Sequence, residues 1–279
     1  MVIGAAARPA VDLTRPETVL PAMARFAPDI VVNPAAYTAV DRAESEPELA
    51  FAINRDGAGA VAAAAAQLGA PLIQLSTDYV YSGAKPAPYV ETDPVSPQGV
   101  YGRSKLEGEG AAMTANPRTI VLRTAWVYAP FGANFVRTMV RLASERDQLR
   151  VVDDQIGCPT YAPDIAAAIL TMAQRVAGGW DDRFGGVTHL AGPDAVTWCE
   201  FARRIVAGLA ERTGRGPLVE AISSADYPTP ARRPANSRLS TQKLASQFGL
   251  RLPPLDSSLQ ACLDQMLSPP RPAATEEAR

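Results

Sequence analysis

The stretch AGAVAAAAAQLGAPLIQLSTDYVY, residues 58–81, decides how the chain is read. Its alanine-rich first half belongs to a helix expected over roughly residues 48–68, since alanine is the strongest helix former. Gly69 then stands where a helix C-terminus favours a residue tolerant of positive φ, and Pro71 opens a short apolar run that reads as a strand. That strand ends in Ser76, Thr77 and Asp78, so it delivers three polar side chains to its carboxyl end.

The same alternation extends in both directions. DIVVN (29–33) and RTIVLRTAWV (118–127) read as further strands, and helical patterns fall around 98–115 and 134–145. Strands separated by helices of this length predict βαβ units on a parallel sheet, an α/β fold. Two stretches depart from the alternation, 77–99 and 223–240, both crowded with Pro, Ser, Asp and Tyr. Long loops of this kind carry function more often than not, and the first leaves a strand at its carboxyl end, where open α/β sheets bind ligands.

Composition narrows the function classes. A net charge of −2 argues against nucleic-acid binding and against a polybasic membrane patch. No apolar run reaches the roughly 20 residues of a spanning helix, and the start, MVIGAAARPA, lacks the basic region of a secretory signal and reads as a buried strand. Cys158, Cys199 and Cys262 are too few and too scattered for a disulfide framework or a thiolate zinc site. A cytoplasmic protein acting on a small molecule is expected. The polar, Pro-rich tail 268–279 is expected to fray.

In VYGRSKLEGE (100–109), Tyr101 and Lys105 lie four residues apart, on one face of the expected helix with Cβ atoms about 5–6 Å apart. An ammonium there favours the phenolate and is expected to lower the tyrosine pKa toward neutrality, giving a general acid or base. The competing reading is a solvated lysine beside Glu107 and Glu109. Of 27 basic residues only Lys85, Lys105 and Lys243 are lysine, so this position has kept an ammonium in a chain that otherwise uses arginine. Ser76, Thr77 and Asp78 could hydrogen-bond a carbonyl from the strand end, or could simply form a turn. His189, in the apolar run GVTHLAG, reads as structural.

The segments STDYVY, YVETDPVSPQGVYGRSKLEGE and VLRTAWVY together resemble the extended short-chain dehydrogenase/reductases, and among them the dTDP-4-dehydrorhamnose reductases. NPAAYTAVDRAESEPELAFAINRDG, VVDDQIGCPTYAPDIA and YPTPARRPANSRLSTQKL extend the likeness, in order, over roughly residues 11–255. The resemblance implies a Rossmann-like, doubly wound parallel sheet in residues 1–175, and a smaller, mainly substrate-binding region in 176–279, with the chain crossing between them. It implies that Tyr101 protonates the 4-keto oxygen of a dTDP-linked deoxyhexulose, that Lys105 tunes it and holds the nicotinamide ribose, and that Thr77 completes the triad. Thr77, Asp78 and Trp126 are implied as sugar contacts. Asp12 and Leu13 resemble the adenine loop, and Ala35, Ala36, Tyr37 and Thr38 the loop along the adenosine and pyrophosphate. Arg232 and Arg233 suit the substrate's diphosphate, although surface solubilisation fits them equally. The cofactor implied is NADPH or NADH, and Arg8 would meet a 2′-phosphate. A homodimer is the expected assembly. Some relatives hold Mg2+, but the matching position here is Pro163, so no metal is expected.

One departure stands out. The family opens with a strand, a Gly-x-x-Gly-x-x-Gly turn and a helix that receives the pyrophosphate, and this sequence contains no such turn. VIGAAARPAVDLT matches the family's second strand, so the first strand is expected to be missing: either translation starts upstream, or a truncated chain binds its cofactor poorly. Two further readings stay open, a non-catalytic nucleotide-sensing subunit of the same fold, and a reductase or epimerase of another nucleotide sugar.

Overall fold

The computed structural model describes residues 2–267; the tail expected to fray lies outside the described residues. Helix α1 (Val19–Ala24) leads to strand β1 (Val31–Asn33), after which α2 (Val40–Ala43) and α3 (Pro47–Phe51) run through a π turn (Ala52–Gly57) into α4 (Ala58–Gln67). Next come β2 (Leu72–Thr77), α5 (Val100–Ala115), β3 (Thr119–Thr124), β4 (Val127–Tyr128) and α6 (Phe135–Glu145). Strands β5 (Gln148–Val152), β6 (Ile156–Gly157) and β7 (Thr160–Tyr161) precede α7 (Ala162–Ala177), β8 (Gly186–His189), β9 (Val196–Thr197) and α8 (Trp198–Thr213). The chain closes with β10 (Leu218–Ile222), β11 (Asn236–Ser237), α9 (Gln242–Phe248) and α10 (Leu255–Leu267).

Strands β1, β2, β3 and β8 form one parallel sheet in the order β1-β2-β3-β8. Neighbouring residues of β2 point to opposite faces, yet Leu72 and Ile73 are both fully buried. Leu72 packs with Val19, Val31 and Val61 under α1 and α4, whereas Ile73 packs with Ile120, Ile165, Met172 and Phe248 under α7 and α9. Cover on both faces is why these strands read as continuous apolar runs. Gly69 ends α4 at φ +72°, the conformation its position predicted.

The expected strand at the start does not form. Residues 2–7 carry no strand, and Val2 and Ile3 are 99% and 70% exposed. A strand needs a hydrogen-bonding neighbour, and no strand among the described residues pairs with this segment. On the β1 side the sheet ends at β1 itself.

The second region is assembled from several chain segments. Strand β5 pairs with β10, β6 lies between β11 and β9, and β4 pairs with β7. Helices α6, α8 and α10 close a separate core through Val136, Met139, Phe201, Ile205, Leu259 and Leu263. A cut at residue 175 therefore does not divide the sheets: β8 belongs with β1 to β3, whereas β5 and β6 belong with strands beyond residue 190.

Candidate active site

The site is built around the seat of α5. The first helical amide, Val100 N–H, has no partner within the helix and donates to Glu44 Oε1 at 2.8 Å. Gly102 and Gly108 let the helix lie close to its neighbours, since a Cβ would fall 2.3 Å from Tyr79 O at the first and 1.9 Å from Asn54 O at the second. Asn54, inside the π turn, accepts from Tyr37 N at 2.8 Å and donates to Tyr37 O at 3.1 Å and Ser104 Oγ at 2.9 Å. Irregular helical turns of this type recur at functional sites. Here one asparagine ties the loop after β1 to the face of α5 that carries Tyr101 and Lys105.

Thr77, the last residue of β2, reaches the same place. Its hydroxyl donates to Asp78 Oδ1 at 3.0 Å and accepts from Tyr79 N at 3.3 Å. Burial holds the Tyr101 phenol well above the usual tyrosine pKa, with the Thr77 hydroxyl opposing it and the charge of Asp78 adding to it. This overturns the expected lowering by Lys105. The lysine nitrogen is engaged elsewhere, donating to Leu75 O at 2.7 Å, and burial pushes it down to about 8 against the pull of Glu109. Tyr101 is thus held protonated at neutral pH. Burial also raises Asp78, to about 6, opposed by the nearby Ser237 hydroxyl and by the Thr77 hydrogen bond to Oδ1, and its Oδ2 has no hydrogen-bond partner.

The remaining sequence candidates fall in varied surroundings. Ala35 and Thr38 are exposed, and Ala36 half-buried, in the loop after β1. The Tyr37 hydroxyl donates to Glu46 at 2.5 Å. Asp12 Oδ1 accepts from Thr14 N at 3.0 Å and Thr14 Oγ1 at 2.8 Å, and Arg8 lies 3.6 Å from Asp12 at the surface. The Leu13 side chain, a sequence candidate for the adenine loop, is buried in the core under α1 and α4. Trp126 adopts φ +48°, an outlier for a bulky residue, and stacks on Trp198 with ring centroids 3.5 Å apart. Arg232 is exposed. Arg233 donates to Asp41 at 2.7 Å and to the Tyr79 hydroxyl at 3.1 Å, and the Tyr79 ring stands edge-on to Tyr101 at 5.4 Å. The structure so gathers Tyr101, Lys105, Thr77 and Asp78, with Arg233 joined through Tyr79.

Sequence reasoning missed Glu44, Asn54, Trp198 and the buried pair Glu109–Arg123. One signal pointed to the pair: an arginine inside the apolar strand IVLRT must find a partner. His189 is buried and neutral, its pKa depressed by burial. Its Nδ1 donates to Ser240 O at 3.0 Å while Nε2 lies 2.7 Å from the Tyr81 hydroxyl. Cys158, Cys199 and Cys262 are free and buried. Among the described residues no group of three His, Cys, Asp or Glu could hold a metal ion, and no helix is long and apolar enough to cross a membrane.

The chain is similar to proteins of one named family. A family model described as the RmlD substrate binding domain matches residues 1–268. A dTDP-4-dehydrorhamnose reductase of Sinorhizobium fredii is 54% identical over 90% of this chain and 85% of its own length. One from Escherichia coli K12 is 42% identical over 92% and 86%. The crystal structure of a Bacillus anthracis dTDP-4-dehydrorhamnose reductase in complex with NADP superposes with a TM-score of 0.84 at 33% identity, over 92% of this chain and 87% of that one.

Proposed function

The chain belongs to the RmlD substrate binding domain family, and from that premise we propose that it reduces the 4-keto group of dTDP-4-dehydro-L-rhamnose to dTDP-L-rhamnose. The observation that carries the residue assignment is Tyr101, a buried phenol held in its acid form beside the Thr77 hydroxyl. Reduction of a ketone leaves an alkoxide that must take a proton, and an acid needs its proton at the working pH.

The residues present fit the nicotinamide-ribose side of a cofactor, NADPH or NADH, while the glycine-rich turn that receives the pyrophosphate in the family is not among them. Lys105 is nearly fully buried and its ammonium has three donors but one protein acceptor, Leu75 O, which leaves donors for ribose hydroxyls. The small side chains of Ala35 and Ala36, after the carboxyl end of β1, permit close approach along the adenosine and pyrophosphate, with Tyr37 and Thr38 next in the same loop and Asp12 serving the adenine side. When bound, the reduced nicotinamide supplies the electron pair and hydrogen that C4 receives. Tyr101 then gives its proton to the former keto oxygen, and Thr77 hydrogen-bonds the same oxygen to fix its direction. Asp78 Oδ2, buried without a partner, accepts from a sugar hydroxyl. Trp126, its ring set by Trp198, packs against the sugar, and Arg233 meets the diphosphate.

Tyr101→Phe removes the proton and keeps the ring. Ketosugar-dependent NADPH oxidation should fall by about 10²–10⁴-fold while the thermal melt stays where it was. A variant that keeps most of its turnover refutes the assignment of Tyr101 as the acid.

A further inference from the structure

Three charges meet in the interior behind Lys105. Glu109 lies one turn further along α5, and it is 2% exposed where Lys105 is 4%. Arg123 of β3, also 4% exposed, grips it with both arms, Nε to Oε1 at 2.9 Å and Nη2 to Oε2 at 2.6 Å. Ser76 of β2 adds its hydroxyl to Oε1 at 2.5 Å. Lys105 is anchored on Leu75 O, so consecutive residues of β2 hold the lysine and the glutamate, and the next residue is Thr77.

From this arrangement we propose that Glu109 is a positioning residue of the reaction: clamped by Arg123 and Ser76, its carboxylate is the counter-charge that keeps the buried Lys105 an ammonium able to donate to a ribose. The proposal rests on the reductase reading for the role of Lys105. A lysine out of water loses its proton unless a negative charge lies close, and a neutral amine is a poorer donor to Leu75 O and to a hydroxyl. Glu109 is the one charge found to oppose the effect of burial on Lys105. The other titratable groups of elements packed on α5 lie in solvent, as Glu48 of α3 does, or have partners of their own, as Asp41 has in Arg233 and Arg42 in Glu46. Asp78 bonds Thr77, Tyr79 bonds Arg233, and Glu44 takes the Val100 amide. In the π turn Arg55 pairs with Asp56 and with Glu107. Tyr81 binds Arg123 from the far side at 2.7 Å, and α4 carries no titratable side chain.

Only three lysines occur in the chain, so ¹³C-lysine NMR resolves each Cε signal, and Lys105→Met identifies the one that belongs to residue 105. At an effective dielectric of about 20, a unit charge about 6 Å away shifts a pKa by about two units. Glu109→Gln keeps the shape and removes the charge, so Lys105 should titrate at least about one unit lower than in the parent protein. The basic limb of the kcat/KM profile should move with it. Glu109→Asp keeps the charge and loses the shape, and Lys105 should stay within about half a unit of its parent value. A purely structural role predicts the reverse, with Asp the more damaging change and no displacement of the lysine titration by Gln. Should Glu109→Gln fail to fold with Arg123 unpaired, the double variant Glu109→Gln with Arg123→Met is compared with Arg123→Met alone, and Lys105 should titrate lower in the double variant than in that reference. An unchanged Lys105 titration in either folded Gln variant overturns the proposal. Absence of ketosugar reduction by the parent protein, with the titration responding as stated, would overturn the reductase reading and leave the counter-charge standing.

Discussion

Asp78→Asn should make the protein more stable at pH 7.5 and less stable at pH 4. Burial lifts the Asp78 carboxyl to about 6 in the folded chain, against 3.8 for the free side chain. The folded state therefore binds the proton more tightly than the unfolded one. Above pH 6 the ionised group weighs against folding by about two pKa units, or ~3 kcal/mol, and that penalty fades as pH falls through 6 and is gone below 3.8. An asparagine never ionises, but it puts an NH2 where Oδ2 now has no partner, at a loss of about 1–2 kcal/mol at every pH. The balance is a gain of about 1–2 kcal/mol at pH 7.5 and a loss of similar size at pH 4, or roughly 2–8 °C in melting temperature in each direction. Thermal melts of both proteins in matched buffers from pH 4 to 8 would show the two curves crossing between pH 4 and 6. A melting difference that stays constant across that range refutes the argument that the carboxylate is ionised against its burial. The same variant should bind the ketosugar less well, because a donor replaces an acceptor.

Gly108→Ala and Gly110→Ala, two residues apart on one helix, should move stability in opposite directions. A Cβ at 108 meets Asn54 O at 1.9 Å and forces α5 off its seat, for a loss of about 3 kcal/mol or more together with activity, whereas nothing lies within 4 Å at 110 and alanine there should gain about 0.5–1 kcal/mol. Denaturant titrations that rank the two the other way would remove the close approach of α5 to the π turn as a constraint. Trp198→Leu takes away the ring stacked on Trp126 and should raise KM for the ketosugar by about three- to tenfold, with kcat within about twofold. An unchanged KM in steady-state assays would separate Trp126 from the sugar.

Local patterns were legible wherever the physics was local. Helix α4, its glycine stop and the strand after Pro71 follow from alanine propensity, a positive-φ position and an apolar run, and the structure has all three. Tyr101 and Lys105 share a helix face because four residues make about one turn. The segment at residues 2–7 misled the same reasoning, because an apolar run becomes a strand only when another strand lies beside it, and no property of the run itself supplies that neighbour.

Sequence by itself determined the α/β class, the helix that carries the acid and the strand end that carries Thr77. Only the tertiary structure decided the charge states. Spacing alone made Lys105 lower the tyrosine pKa; in the folded chain the lysine turns to Leu75 O, and burial beside Asp78 and Tyr79 drives the phenol upward. Glu109 read as a solvated neighbour and is a buried ion-pair partner of Arg123, fourteen residues away on a different element. The reason is common to these cases. Helix and strand depend on residues near in sequence, whereas the free energy of a charge depends on how much water surrounds it and which charges face it. Both are set by chain segments that only folding brings together.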